Sequence, residues 1–166
     1  MHITTLRLLL IAATEQLTSA QVDGPAALGD KLGMRLAEDW PPQHNTPQVA
    51  RFFHTRLAAN PEHAGWWSWF VAMDREVVAI VGLKGRPTDG MVEAGYSVVD
   101  SRHREGIAFE AVTARIEWAW THEEVTRVEA ETLPHLAPSI GVLGKLGFQP
   151  MPATTPDTIR FVLHRP

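Results

Sequence analysis

The stretch Val92–Ala111, VEAGYSVVDSRHREGIAFEA, decides the fold. Its first half belongs to an alternating strand, Met91–Val99. Its second half changes period: Ala108, Val112, Ile116 and Ala119 mark the buried stripe of a helix that ends near Trp120. Between them lies DSRHREGIA, Asp100–Ala108. A strand that enters a helix through a short loop aims free backbone N–H groups and the positive end of the helix dipole at one point. Such a point receives an anion, and Gly106 lets that anion approach the backbone closely. Arg102, His103 and Arg104 add positive charge in a chain whose net charge is -4. Read alone, the same loop serves equally as a solvated basic helix cap.

Upstream, Trp66–Met73 and Val77–Leu83 read as strands that form an antiparallel meander with Met91–Val99. A polar turn at Asp74 and Arg75 joins the first pair. Lys84–Gly90 (KGRPTDG), ending in Asp-Gly, joins the second. Earlier still come a strand at Thr4–Ala12 and two short helices in Thr14–Gly33, interrupted at Gly24-Pro25. The turn-rich loop Trp40–Pro47 leads to a helix at Thr46–Ala59. Downstream, Val125–Glu131 is a strand and Pro138–Leu146 a helix, with Val142, Leu143 and Leu146 inward and Gly147 as its C-cap. Ile159–Leu163 closes the sheet. Meander, helix, strand, helix, strand describes an α/β (α+β) fold: a mixed, mostly antiparallel sheet with helices on both faces. No linker divides the chain, so residues 1–166 are expected to form one domain.

Composition narrows the chemistry. The chain has 166 residues, 45% hydrophobic, and no cysteine. Disulfides, a thiolate nucleophile and cysteine-ligated metals are excluded. The acidic balance argues against a nucleic-acid binder and leaves room for a cationic or amine substrate. Leu8–Ala13 is too short to span a bilayer and lacks a signal peptide's flanks, so no membrane association and a cytoplasmic location are expected. The histidines are scattered, and no metal site is expected. Six tryptophans accompany one tyrosine. Alternation puts Trp66 and Phe70 on one strand face and Trp67 and Trp69 on the other, packing the core on both. Trp40, beside Pro41 and Pro42, stands apart as a residue for an acceptor cleft.

Three motifs in order carry a family resemblance: VEAGY on the third meander strand, His103–Ala108 in the loop, and Val128–Phe148, VEAETLPHLAPSIGVLGKLGF. Together they resemble the GNAT N-acetyltransferase superfamily, in the branch of the ribosomal-protein alanine acetyltransferases. That branch carries E-I-G-Y on its fourth strand, R/Q-x-x-G-x-G/A in the loop and N-x-x-S-I-R-V-L-E-K-L-G-F on the last helix. The likeness runs from about Trp67 to Phe148. It implies a GNAT fold with a splayed cleft and acetyl-coenzyme A as acyl donor. The pyrophosphate would rest on the backbone amides of Arg104, Glu105, Gly106, Ile107 and Ala108, with His103 beside them in the cofactor-binding loop. The pantetheine arm would pair with the backbone of Ser97 and Val98.

The acceptor, a small-molecule amine or a peptide N-terminus, would enter opposite, near Trp40, and attack the thioester directly. Holding the two reactants together supplies roughly 7–11 kcal/mol of such a reaction's advantage. Glu93 matches the family's fourth-strand glutamate and would act as base. Leu143 occupies the place where many members carry a tyrosine acid, which leaves Ser139 to protonate or hydrogen-bond the departing thiolate.

Four departures accompany the resemblance. His103 stands for arginine or glutamine, Arg104 for a glycine, and Leu136 for the asparagine before the serine. Gly141 and Gly144 replace larger residues and leave a bare stripe on the last helix, each costing roughly 1 kcal/mol against alanine. Close packing of a ligand or of a second subunit in a homodimer would account for that stripe. The rival reading is a non-catalytic acyl-coenzyme A binding module that kept the loop and lost turnover.

Overall fold

The computed structural model describes residues 1–153 and 155–166. Fourteen elements are named among them: β1 (His2–Thr4), β2 (Leu8–Ala12), α1 (Glu15–Asp23), α2 (Pro25–Leu32), β3 (Arg35–Leu36), α3 (Pro47–Ala59), β4 (Ser68–Met73), β5 (Glu76–Leu83), β6 (Met91–Val98), α4 (Ile107–Trp120), β7 (Arg127–Thr132), α5 (Ala137–Lys145), β8 (Gln149–Met151) and β9 (Ile159–His164). Short 3₁₀ turns lie at Pro61–His63 and Asp100–Arg102. The sheet runs β1-β2-β4-β5-β6-β7-β9-β8, with β3 paired to the start of β5. Its long pairings are antiparallel except β6 with β7.

Local chemistry explains most boundaries. Thr14 caps α1 by accepting from the Leu17 N–H, and Gly24 ends that helix just before Pro25 opens α2. Thr46 caps α3 in the same way. Both meander turns hold two consecutive residues at positive φ, Asp74 and Arg75 in one and Asp89 and Gly90 in the other. That backbone twist matches the twist of the flanking strands.

The expected first strand, Thr4–Ala12, is instead a hairpin. The Thr5 hydroxyl accepts from the Leu8 N–H at 3.0 Å, and the Thr5 N–H donates to the Leu8 carbonyl at 2.9 Å. This local turn competes successfully with extended pairing.

Helices cover both faces. On one, α4 and α5 bury Ile107, Val112, Ile116 and Leu143 against Leu10, Val81, Val92 and Val128. On the other, α1, α2 and α3 bury Leu17, Leu28 and Leu57 against Phe70, Val77 and Ile80. Ala108, assigned to the buried stripe of α4, is only half-buried. The helix begins one residue earlier, and Ile107 and Ala111 take that place.

The tryptophan partition also differs. Trp66 packs with Trp69 on the α4 face, and Trp67 with Phe70 on the other. Strict alternation fails because the strand begins only at Ser68, after a turn in which Gly65 has φ 96°.

A buried charge stands in that core. Arg115 is 1% exposed, its guanidinium lying 4.4 Å from the Trp69 ring centroid and 4.3 Å from that of Trp118. Its Nη2 donates to the Gly65 carbonyl at 2.8 Å. Burial pushes its pKa down to about 9, still charged at neutral pH, and the two indole faces take the place of a counter-ion.

Candidate active site

The sheet splits between β6 and β7. They pair only from Met91↔Arg127 to Ala94↔Ala130, while β6 continues to Val98 and β7 to Thr132. Which peptide groups face the gap follows from the β5 side. The Lys84 N–H donates to the Glu93 carbonyl and the Val99 N–H to the Val78 carbonyl, both at 2.9 Å. With the register Gly82↔Gly95 and Ile80↔Ser97, the odd-numbered β6 residues form the hydrogen-bonded pairs with β5. Tyr96 and Val98 therefore direct their N–H and C=O groups into the gap. Ser97, expected to offer its backbone there, spends it on β5. Its hydroxyl donates to the Gln43 carbonyl at 2.8 Å.

At the foot of the gap the chain turns into α4. Arg104 has φ 67° and Gly106 φ 78°, and α4 has no side-chain cap. The first helical bond runs from the Glu110 N–H to the Gly106 carbonyl. Among the described residues, the N–H groups of Arg104 through Phe109 find no acceptor. Six consecutive free donors around a helix N-terminus form an anion cradle. Arg104 also has no ionic partner among the described residues, whereas Arg102 is bound to Glu76 and Glu105.

A cleft of about 1210 Å³ joins gap and cradle. The expected residues Ser97, Val98, His103, Arg104, Gly106, Ile107, Ala108 and Ser139 line it. Glu105 does not: its carbonyl accepts from Arg7 and its carboxylate pairs with Arg102. His103 Nε2 lies 3.0 Å from the Val98 carbonyl, so the residue that replaces the family's arginine or glutamine occupies one gap-facing acceptor. Leu136 lines the cleft where the family's asparagine would stand, and His135 does not. Gly141 lines it too, and a Cβ there, or at Gly144, would meet nothing within 4 Å.

Two more expected residues lie outside the cleft lining. Glu93 does not line the cleft; its carboxylate is salt-bridged to Lys84 Nζ. Alternation turns it to the face opposite Ala94 and Tyr96, beside its register partner Glu129. Trp40 packs into the core, its ring 6.4 Å from that of Phe70, and the loop presents Gln43 and His44 to the cleft instead.

Two further residues emerge from the geometry. The Tyr96 hydroxyl donates to the Ser139 carbonyl at 3.1 Å and lies 3.0 Å from Ser139 Oγ. Burial raises the Tyr96 pKa, outweighing the hydrogen bond with Ser139, so the phenol stays protonated. Glu131, at the end of β7, is exposed and lines the cleft. Its neighbour Glu129 is neutralised by Arg127 and Arg160, but Glu131 has no ionic partner among the described residues. Both residues were visible in the sequence, as the lone tyrosine and as a second glutamate after Glu129. Only the split gives them a place.

The family model for the acetyltransferase (GNAT) domain matches residues 7–149. The chain belongs to the GNAT family. It is 31% identical over 121 residues to the uncharacterized N-acetyltransferase YjdG of Bacillus subtilis, covering 71% of each chain. Among solved structures, it resembles the ribosomal-protein-S5-alanine acetyltransferase of Vibrio fischeri with a TM-score of 0.68 at 17% identity, over 99% of this chain and 96% of that one. It also resembles RimJ of Mycobacterium smegmatis, solved with a coenzyme A disulfide, with a TM-score of 0.65 at 20% identity, over 95% and 81%. This GNAT chain is thus an acetyltransferase with the family's split sheet.

Proposed function

We propose that this GNAT acetyltransferase moves an acetyl group from acetyl-coenzyme A to a primary amine by direct attack. The observation that carries the reading is the run of free amides from Arg104 to Phe109 at the foot of a gap edged by Tyr96 and Val98. The cradle suits a pyrophosphate and the gap an extended amide-bearing arm. RimJ of Mycobacterium smegmatis, of the same fold, was solved with a coenzyme A species.

In this reading the thioester lies in the gap beside Ser139. A β6 N–H in the gap polarises the thioester carbonyl and holds the oxyanion that forms on attack. Ser139 Oγ–H, resting on the Tyr96 oxygen, swings to hydrogen-bond the departing thiolate as the C–S bond breaks, and the proton released by the amine neutralises that thiolate. Glu93, already paired with Lys84, is replaced on the acceptor side by Glu131, which receives the amine's positive charge. A peptide α-amine, with a pKa of about 8, is partly neutral at pH 7, whereas lysine at about 10.4 needs more help. A protein N-terminus or a small amine of similar basicity therefore suits a site with one exposed carboxylate.

Thiol release from acetyl-coenzyme A with a panel of peptides and small amines tests the reading. Ser139→Ala is expected to lower kcat about 100-fold, the lower range for a positioned proton donor. Glu131→Gln should raise the acceptor KM, and Glu93→Gln should leave it near wild type. Tight coenzyme A binding with no release for any amine would instead make the chain a binding module. Absence of coenzyme A binding would sink both.

A further inference from the structure

Arg7, in the β1–β2 turn, reaches across to the cradle from outside the cleft. Its Nε donates to Glu110 Oε2 at 2.8 Å, its backbone N–H to Glu110 Oε1 at 3.0 Å, and its Nη1 to the Glu105 carbonyl at 3.0 Å. Thr5 Oγ1 donates to the same Glu110 carboxylate at 2.5 Å. The guanidinium lies beside the turn's left-handed glycine: a Cβ on Gly106 would stand 3.5 Å from Arg7 Nη2.

Glu110 occupies the first turn of α4. A carboxylate there favours the helix, but its charge also opposes an anion held at the same helix terminus. Arg7 neutralises that charge. Its cation is committed to Glu110, so it is not itself a phosphate ligand. The same side chain ties down the Glu105 carbonyl, and hence the loop immediately before Gly106.

We infer that Arg7 is a positioning residue for the anion cradle, holding the Glu105–Gly106 turn in shape and cancelling the Glu110 charge that would oppose the pyrophosphate. The inference rests on the acetyl-coenzyme A reading and adds a contribution from the first hairpin, which lies outside the cleft.

The test measures calorimetric affinity of the full chain for coenzyme A and for pantetheine, which lacks the pyrophosphate. Arg7→Gln is expected to weaken coenzyme A binding roughly tenfold, the scale of one charge interaction near a helix terminus. Pantetheine affinity and kcat at saturating substrate should stay near wild type. Arg7→Lys should recover part of the loss. Adding Glu110→Gln to Arg7→Gln should recover more, because the opposing charge is gone. Glu110→Gln alone, which keeps the tether to Glu105, should bind coenzyme A at least as well as wild type. The assignment is overturned if Arg7→Gln binds coenzyme A normally, if it loses both ligands equally, or if Glu110→Gln alone weakens coenzyme A. Should wild type bind pantetheine and coenzyme A equally, the assignment fails alone; should it bind neither, the acetyl-coenzyme A reading fails with it.

Discussion

Tyr96 shows how a single side chain acquires a role from its neighbours. On β6 its ring packs against the α4-side core, while its hydroxyl reaches Ser139 at the start of α5. Burial keeps the phenol neutral, so it acts as a fixed hydrogen-bonding post for Ser139. Tyr96→Phe keeps the packing and removes only that post, at a stability cost of about 1 kcal/mol. It should lower kcat on the order of tenfold, a loss of positioning short of losing the donor itself. The KM for acetyl-coenzyme A should stay near wild type, because the backbone of residue 96 still edges the gap. Steady-state kinetics with each substrate varied checks this, and an unchanged kcat would remove Tyr96 from the mechanism. At this scale the sequence was a partial guide. Ser139 and most of the expected loop residues line the cleft, because their place depends on chain order, through a motif or a strand-to-helix junction. Glu93 and Trp40 lie outside the cleft lining, because a salt bridge to Lys84 and packing on Phe70 depend on side-chain partners that no motif reports.

At the scale of elements, α5 carries an avoidable weakness. Gly144 is exposed, lies outside the cleft lining, and a Cβ there would touch nothing within 4 Å. Gly144→Ala should stabilise the chain by about 1 kcal/mol through helix propensity alone. For a chain of this size that is roughly 2–4 °C in Tm, with kcat unchanged, measurable by thermal unfolding beside a kinetic assay. A fall in Tm would mean that the bare stripe is occupied by something a methyl group displaces, such as a second subunit. The long elements were legible because their periodicity is strong: the meander, α3, α4 and α5 all lie near the expected positions. The short ones were not. β3 and β8 pair over two and three residues, too few for alternation to register. The break between β1 and β2 turns on one hydroxyl at Thr5, and the swapped faces of Trp66 and Trp67 on one left-handed glycine.

Across the whole molecule, the cradle is fastened from two sides by carboxylates. Asp39 accepts from the Ser101 N–H and hydroxyl, both at 2.8 Å, anchoring the loop from α2 to α3 onto the turn after β6. Glu110 anchors the first hairpin to α4 from the other side. Both pKa values are lowered. For Asp39 the cause is the Ser101 backbone bond, reinforced by its hydroxyl. For Glu110, burial works in the opposite direction and is outweighed by the bonds from Thr5 and Arg7. A carboxylate whose folded pKa lies below its unfolded value contributes stability that is complete above the unfolded value, and that stability is lost as pH falls through the folded one. The unfolded values are 3.8 for Asp39 and 4.5 for Glu110. Both fastenings should therefore hold at and above about pH 5 and be lost as pH falls through each lowered folded value. Since the Asp39 bond holds Ser101, just before the cradle, coenzyme A protection should fall as that bond is lost, ahead of global unfolding. Asp39→Asn and Glu110→Gln should each flatten the acid limb of the stability profile, because neither replacement titrates. Thermal unfolding with and without coenzyme A, from pH 3 to 7, reads both effects. A wild-type profile whose acid limb is unchanged by both substitutions would show that the carboxylates governing acid unfolding lie elsewhere in the chain.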